Sequence, residues 1–153
     1  MAAFQVETGI ATGRGFDANG LLGRLRTFMT LANNIINGGA GWFEVDNSQV
    51  GAATNPYVVF SDVNAPGPND IAKYVQVMLP TATAGMVQFR YFSRWDSTLH
   101  VGYNQYFYQP VATLDASDFI YDFRGGPEFM MVSTRPAGTW NHAGIDEWYG
   151  IDN

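Results

Sequence analysis

The spacing of apolar residues predicts one helix in the first quarter of the chain. Asp17 or Asn19 can cap its start, because a short polar side chain accepts hydrogen bonds from the free N–H groups of a first turn. Gly38 and Gly39 can supply the positive φ that ends a helix. We therefore predict an amphipathic helix over about 19–37. Its apolar stripe recurs at intervals of three and four residues: Leu21, Leu22, Leu25, Phe28, Met29, Ala32, Ile35 and Ile36.

The chain beyond this helix has patterns that are typical of strands. Val87, Phe89 and Tyr91 alternate with Gln88 and Arg90, so one face of the strand would be buried and the other exposed to solvent. Segments that contain Pro and Gly separate several such runs, which are rich in Val, Phe, Tyr and Trp. The predicted strands are Gly41–Asp46, Tyr57–Asp62, Lys73–Leu79, Met86–Trp95, Thr98–Tyr103, Phe119–Phe123 and Phe129–Thr134, with Thr139–Gly150 as a less regular addition.

One helix ahead of some seven strands excludes a parallel βαβ architecture, because the crossover helices are lacking. We expect an α+β fold that is mostly β: an antiparallel β-sandwich or strongly curved sheet, with one N-terminal amphipathic helix packed on it. Residues 1–16 lack periodicity and contain several glycines, which predicts an extended N-terminal arm or a β-edge segment. Residues 17–153 would form a single β-rich domain. In an assembly, the arm would dock on a neighbouring subunit.

Composition adds an expectation about the surface. Aromatic residues make up 15% of the 153 residues and charged residues only 14%, against a typical charged fraction of ~25%. A surface with so few charges associates more readily than that of an ordinary monomer. We therefore expect neighbouring proteins to cover much of it. The net charge of −6 disfavours nucleic-acid binding, which needs clustered Lys and Arg.

The chain lacks the features of a targeted or membrane-inserted protein. Residues 1–7 have neither a basic n-region nor an apolar h-region, so we expect no signal peptide there. No apolar run approaches the ~20 residues that a membrane-spanning helix needs. We expect synthesis in the cytosol without membrane insertion.

Candidate catalytic and metal-binding residues are few. His100 is predicted to lie at a surface or rim, and His142 to be packed and hydrogen-bonded beside Trp140. Asp115, Asp118 and Asp122 are close in sequence, which does not place two carboxylates on opposite sides of a sugar. The glycines at 13, 15 and 20 do not match a phosphate-binding loop. We therefore expect neither an enzyme nor a dedicated metal or cofactor site. Four Asp and Asn residues flank a loop that contains Pro and Gly, and they could bind a calcium ion weakly. Their common role in turns accounts for them without a bound ion: Asp62, Asn64, Asn69 and Asp70.

Aromatic clusters are the more informative candidates. Tyr and Trp provide large, stiff and half-polar area, and they dominate binding hot spots. Core packing with an amphipathic rim is the plain alternative, and a sugar ring is another ligand that such side chains suit. We favour contact with protein subunits. The predicted contact surface comprises Phe4, Val6, Tyr103, Tyr106, Tyr108, Trp140 and Trp148.

Residues 20–150 resemble a pattern found in tailed-phage virion and tail-associated proteins. That pattern has a helix of the form L-L-x-x-L-x-x-F, here Leu21 to Phe28, then a Gly-Trp turn at Gly41-Trp42 and a first strand. The stretch 56–62 is similar to its next strand, and the stretch 123–132 to its closing hairpin. The resemblance implies a structural role in a capsid, collar, tail or baseplate, without catalytic residues.

The implied location is the virion, and the implied partners are copies of this chain and other virion proteins. A carbohydrate-binding module that recognises a host surface glycan is the first alternative, and a small cell-wall-directed hydrolase is the second.

Overall fold

The computed structural model shows two antiparallel sheets and one helix. It describes residues 5–30, 41–64, 66, 72–126 and 129–145, and within these it does not describe the side chains of residues 106, 107 and 145. Sheet A has the order β1-β7-β8-β9, and sheet B has the order β2-β3-β4-β5-β6. The elements are β1 (Gln5–Thr12), α1 (Leu21–Thr30), β2 (Phe43–Asp46), β3 (Tyr57–Ser61), β4 (Tyr74–Met78), β5 (Met86–Asp96), β6 (Val101–Ala112), β7 (Asp118–Gly126), β8 (Phe129–Arg135) and β9 (Asn141–Ile145).

This architecture confirms the mostly β, antiparallel, sandwich-like fold. Each predicted strand overlaps an observed one, but the predicted strand at 98–103 begins too early. Residues 97–100 form a turn, and β6 runs from Val101 to Ala112. His100 therefore lies in the turn, with a φ of 57°.

The helix departs from the prediction in its place and in its capping. It is not N-terminal, because β1 precedes it, and it is described over Leu21–Thr30, while residues 31–40 lie outside the described part. Asp17 Oδ1 accepts from the N–H groups of Asn19 and Gly20, in the turn before the helix. The first N–H groups of the helix instead donate to backbone carbonyls, from Leu21 to Gly13 and from Leu22 to Gly15.

The predicted N-terminal arm is extended, but it belongs to a sheet of its own chain. Residues 5–12 form β1 and pair along their length with β7. Gly9 is required for this pairing, because a Cβ there would lie 2.7 Å from the hydroxyl of Tyr121. This pairing lies within the chain, and docking on a neighbouring subunit stays a prediction. A domain boundary at residue 16 stays a prediction.

The main core lies between the two sheets and under the helix. Trp42 is fully buried, its indole N–H donates to the carbonyl of Gly126, and its backbone N–H donates to Met29. Arg26 forms a bidentate ion pair with Glu44 on β2, in which Nη2 lies 2.8 Å from Oε1 and Nε lies 3.2 Å from Oε2. The helix thereby contacts β1 and β7 of sheet A and β2 of sheet B. It bridges the two sheets on the side where β1 and β2 are the edge strands.

The opposite side of the sandwich is closed between β6 and β9. The side-chain oxygen of Gln109 accepts from the hydroxyl of Tyr91 at 3.1 Å and from the backbone N–H of Gly144 at 2.9 Å. Thr134 donates to the carbonyl of Ala112 at 2.6 Å. The two sheets are therefore tied together on this side as well.

The β5–β6 hairpin bends across the outer face of sheet B. Tyr91 pairs with Phe107 and Phe92 with Gln105, so β6 carries one extra residue at the shift in register, and such a bulge bends a strand. Asn104 adds a left-handed φ of 55°. A second apolar cluster, comprising Val59, Tyr74, Phe92 and Trp95, fills the space beneath the bent hairpin.

Candidate contact surface

The outer face of sheet A is built by strict alternation along its strands. On β7, Phe119, Tyr121 and Phe123 point into the core, whereas Ile120 and Asp122 point outward. The register of the four strands then aligns outward residues into rows across the sheet. These rows are Val6–Arg124–Met131, Thr8–Asp122–Ser133–His142 and Ile10–Ile120–Arg135.

This face concentrates the exposed apolar side chains of the described part of the chain. Eight large apolar residues there are exposed, and five of them lie on or beside this face. Single exposed apolar residues are ordinary, but a contiguous group of them is typical of an interaction site. The five are Val6 (50% exposed), Ile10 (57%), Ile120 (40%), Met131 (42%) and Trp140 (42%).

Two of these rows each contain two apolar residues and one arginine, and we call them the apolar rows. Between them runs a polar row whose side chains hold one another in place. Asp122 accepts from Thr8 at 3.2 Å and from Arg124 at 3.0 Å. The hydroxyl of Ser133 lies 2.7 Å from Nδ1 of His142. These contacts fix the polar groups before any partner arrives, which lowers the entropy cost of binding.

A shallow concavity of about 370 Å³ lies over this row, at the β8–β9 side of the face. Trp140 forms part of its wall, just before β9 begins. The concavity thus combines one exposed aromatic ring with fixed polar groups and an arginine. Its lining comprises Asp122, Arg124, Met131, Ser133, Trp140 and His142.

A second polar cluster holds the end of the β5–β6 hairpin on β2. Asp46 is buried, and its carboxylate accepts from the indole N–H of Trp95 at 3.0 Å and from the hydroxyl of Ser48 at 2.9 Å. Nδ1 of His100 lies 2.7 Å from the same carboxylate and must donate to it, since a carboxylate can only accept. Ser97 also donates to the carbonyl of Val45, at 2.7 Å.

The environment of Asp46 sets the direction of two pKa shifts. Burial by itself raises the pKa of Asp46, but hydrogen bonds from His100, Trp95 and Ser48 outweigh it, so this pKa lies below its usual value. Burial, with the negative charge of Asp46, raises the pKa of Tyr57. The carboxylate is therefore held in its charged form.

Ser48, His100 and Asp46 do not have the geometry of a catalytic triad. In a triad the acid and the nucleophile contact different ring nitrogens of the histidine, so that one orients the ring and the other loses its proton. Here Asp46 and Ser48 lie 2.7 and 3.3 Å from the same nitrogen, Nδ1. The hydroxyl of Ser48 donates to Asp46, so the cluster acts as a structural clamp.

Tyr103 and Tyr108 lie on the outer face of sheet B, each beside an arginine of β5. The guanidinium carbon of Arg94 is 4.4 Å from the ring centre of Tyr103, and that of Arg90 is 5.9 Å from the ring centre of Tyr108. Their partners in the register, Arg94 and Arg90, are four residues apart on one strand. The bulge in β6 thus brings the two tyrosines to the same face.

The structure divides the predicted contact surface into two parts. Val6 and Trp140 belong to the outer face of sheet A, where Arg124 is the register partner of Val6 and lines the concavity with Trp140. Tyr103 and Tyr108 belong to sheet B. Phe4, Trp148 and the side chain of Tyr106 lie outside the described part of the chain.

Sequence reasoning missed Ile10, Ile120 and Met131, which complete the apolar rows of sheet A. The available signal was the alternation in 119–123, where Ile120 falls in phase with Asp118 and Asp122. Residues 5–12 were not predicted as a definite strand, so the neighbour that aligns Ile10 with Ile120 could not be identified.

The described aspartates near position 118 have structural partners. Asp115 binds Arg14 at 2.8 Å and accepts from the backbone N–H of Gly85, and Asp118 accepts from Thr12 at 2.6 Å. His142 is hydrogen-bonded as predicted, but it is exposed and not packed. Within the described residues, no three His, Asp or Glu side chains form a group that could hold a metal ion.

Comparison with known proteins adds no relative. No protein-family model matches the chain, and no curated protein matches it. Within the described residues, no helix has the length and apolar character needed to cross a membrane.

Proposed function

We propose that this chain is a structural component of a phage particle that acts by assembling with other proteins. The observation that carries the proposal is the outer face of sheet A, where two apolar rows lie exposed on either side of a pre-ordered polar row. Sheets bury such faces against other sheets or helices. The resemblance of residues 20–150 to tail-associated proteins favours a virion as the assembly. The proposed partners are copies of this chain and other virion proteins.

The energetics favour a covered face. Complete burial of an Ile or Met side chain is worth about 1.5–3 kcal/mol relative to full exposure, and these side chains are about half exposed in the isolated chain. Covering Ile10, Ile120 and Met131 would therefore contribute a few kcal/mol, on the order of 1 kcal/mol for each. The four charged residues of the face, Asp118, Asp122, Arg124 and Arg135, oppose this gain through their desolvation unless they pair across the contact.

The test is incorporation into particles. Particles purified from the phage or prophage that encodes the chain are expected to contain it at a fixed copy number by quantitative mass spectrometry. Complementation with an Ile120→Lys variant should give particles that lack the chain, because a lysine in the apolar row resists burial.

Leu99→Lys is the matched control. Leu99 is 63% exposed and lies on the hairpin turn, away from sheet A, so this variant should be incorporated normally. Both variants should keep the wild-type thermal midpoint. Purified particles without the chain, or equal incorporation of both variants, would refute the proposal.

A second candidate function is saccharide binding, and the concavity beside Trp140 favours it specifically. An exposed indole ring suits the apolar face of a sugar, and Asp122, Arg124 and His142 supply hydrogen-bonding groups around it. Binding on a glycan array, lost in Trp140→Ala and kept in Tyr108→Ala, would support it. Tyr108 is a suitable control because it is 41% exposed on the other sheet.

A further inference from the structure

We infer that the partner of the outer face of sheet A is the same face of a second copy of this chain, so that two sheets pack face to face. The inference rests on the proposed assembly function and names the partner and the surface. It is argued from the charge of the face, its apolar pattern and its area.

The charge of the face differs from that of the whole chain. The chain carries a net charge of −6, which opposes contact between two copies in general. The outward residues of β1, β7 and β8, however, include two aspartates, Asp118 and Asp122, and two arginines, Arg124 and Arg135. Their formal charges balance, so this face can meet its own copy without a net repulsion.

The pattern of the face suits a twofold contact. Such a contact is isologous, which requires one surface to be complementary to itself. A face with acids and bases in equal number and with apolar rows on both sides of a polar row meets this requirement. A strongly acidic or basic partner would leave one pair of charges facing a like charge.

The area of the face predicts a weak pair. Four strands about 4.8 Å apart and about seven residues long, at about 3.3 Å per residue, give about 440 Å² per copy. The total of about 900 Å² is below the 1,200–2,000 Å² that is typical of stable complexes. Isolated copies should therefore exchange rapidly, and pairs should become long-lived only where other contacts hold many copies together.

Charge reversal on the face tests the inference directly. One variant carries Arg124→Glu and Arg135→Glu, and the other carries Asp118→Lys and Asp122→Lys. The wild type should show a concentration-dependent mass that rises from 16.9 kDa toward twice that value in sedimentation equilibrium. Each variant alone should associate at least about tenfold more weakly, because like charges then face each other. An equimolar mixture should recover wild-type association.

Recovery in the mixture to the strength of the wild type is the result expected of a face that pairs with itself, because each face again meets charges of the opposite sign. A mixture that stays monomeric, variants that associate like the wild type, or a wild type that stays monomeric at its highest soluble concentration would each overturn the inference. If the lysine pair lowers the thermal midpoint by disturbing Thr8 and Thr12, a variant with Asp118→Asn and Asp122→Asn replaces it in the mixture, because the amide oxygens can still accept from both threonines. A chain that enters particles but never pairs would overturn self-pairing alone and leave the proposed function standing.

Discussion

At the scale of single residues, one buried carboxylate holds the end of the longest hairpin. Asp46 accepts hydrogen bonds from Trp95 and Ser48 and receives Nδ1–H of His100 at 2.7 Å. Hydrogen bonds to a charged group are stronger than neutral ones, and a buried donor that loses its acceptor pays its desolvation cost in full. The sequence shows none of this, because Asp46 lies about fifty positions from Trp95 and His100.

We expect Asp46→Asn to lower the free energy of unfolding by about 2–3 kcal/mol, because the amide cannot accept from all three donors. Urea denaturation at neutral pH measures this loss. The folded-state pKa of Asp46 is below its unfolded value of 3.8, so the charge stabilises the fold above pH 3.8 and this contribution is lost as the pH falls through the folded pKa. The difference between wild type and variant should shrink below pH 3.8. A difference that is constant from pH 7 to pH 2 would contradict the clamp.

At the scale of elements, small residues decide where the strands bend. Phe92 lies where a Cβ on Gly102 would be, so the glycine allows the ring to pack against β6. The extra residue in β6 and the left-handed Asn104 bend the same hairpin toward β2. The position of Trp95 over the second apolar cluster therefore depends on backbone features of the opposite strand.

Gly102→Ala should displace Phe92 and loosen the hairpin, with a loss of about 1–3 kcal/mol that is typical of overpacking. Thermal unfolding and a shift of the tryptophan emission toward longer wavelength, as Trp95 becomes more exposed, are the measurements. Gly51→Ala is the control, since nothing lies within 4 Å of the added carbon. Equal effects of the two substitutions would show that the ring contact is unimportant.

At the scale of the whole molecule, the two sheets are tied together on both sides. The helix and Trp42 bridge the side of β1 and β2, and Gln109 bridges the side of β6 and β9. Arg14 adds a third tie, because its guanidinium donates to the carbonyls of Pro80, Thr83 and Met86 and pairs with Asp115. Residues 5–16 thus contribute to the stability of the sandwich.

Deletion of residues 2–16 should abolish cooperative unfolding, because it removes β1, the buried Ala11 and the interactions of Arg14. Deletion of residues 2–4 leaves these groups in place and should change the thermal midpoint little. Calorimetry of the two truncated chains provides the comparison. A cooperative transition in the longer deletion would show that the sandwich is stable without its first strand.

The fold class was predictable from the sequence because its signals are local. Alternation over 87–91 and the spacing of apolar residues over 21–29 depend only on the period of a strand or helix. Residues 5–12 carried a weaker signal, since Gln5, Glu7 and Gly9 occupy inward positions of β1 at which a strand usually has apolar residues. Six of the seven residues of the predicted contact surface could be recognised because they are aromatic, but the division of the described ones between two sheets depended on strand pairing.

The sequence by itself thus determined the kind of elements, their order and the low charge of the surface, since these follow from side-chain types and short periods. Only the tertiary structure decided which outward residues share a face. Strand register joins positions more than a hundred residues apart, such as Ile10 and Ile120, and no local period records that pairing. The outer face of sheet A and the clamp at Asp46 both arise from such long-range pairing, because each brings together side chains from separate strands and turns.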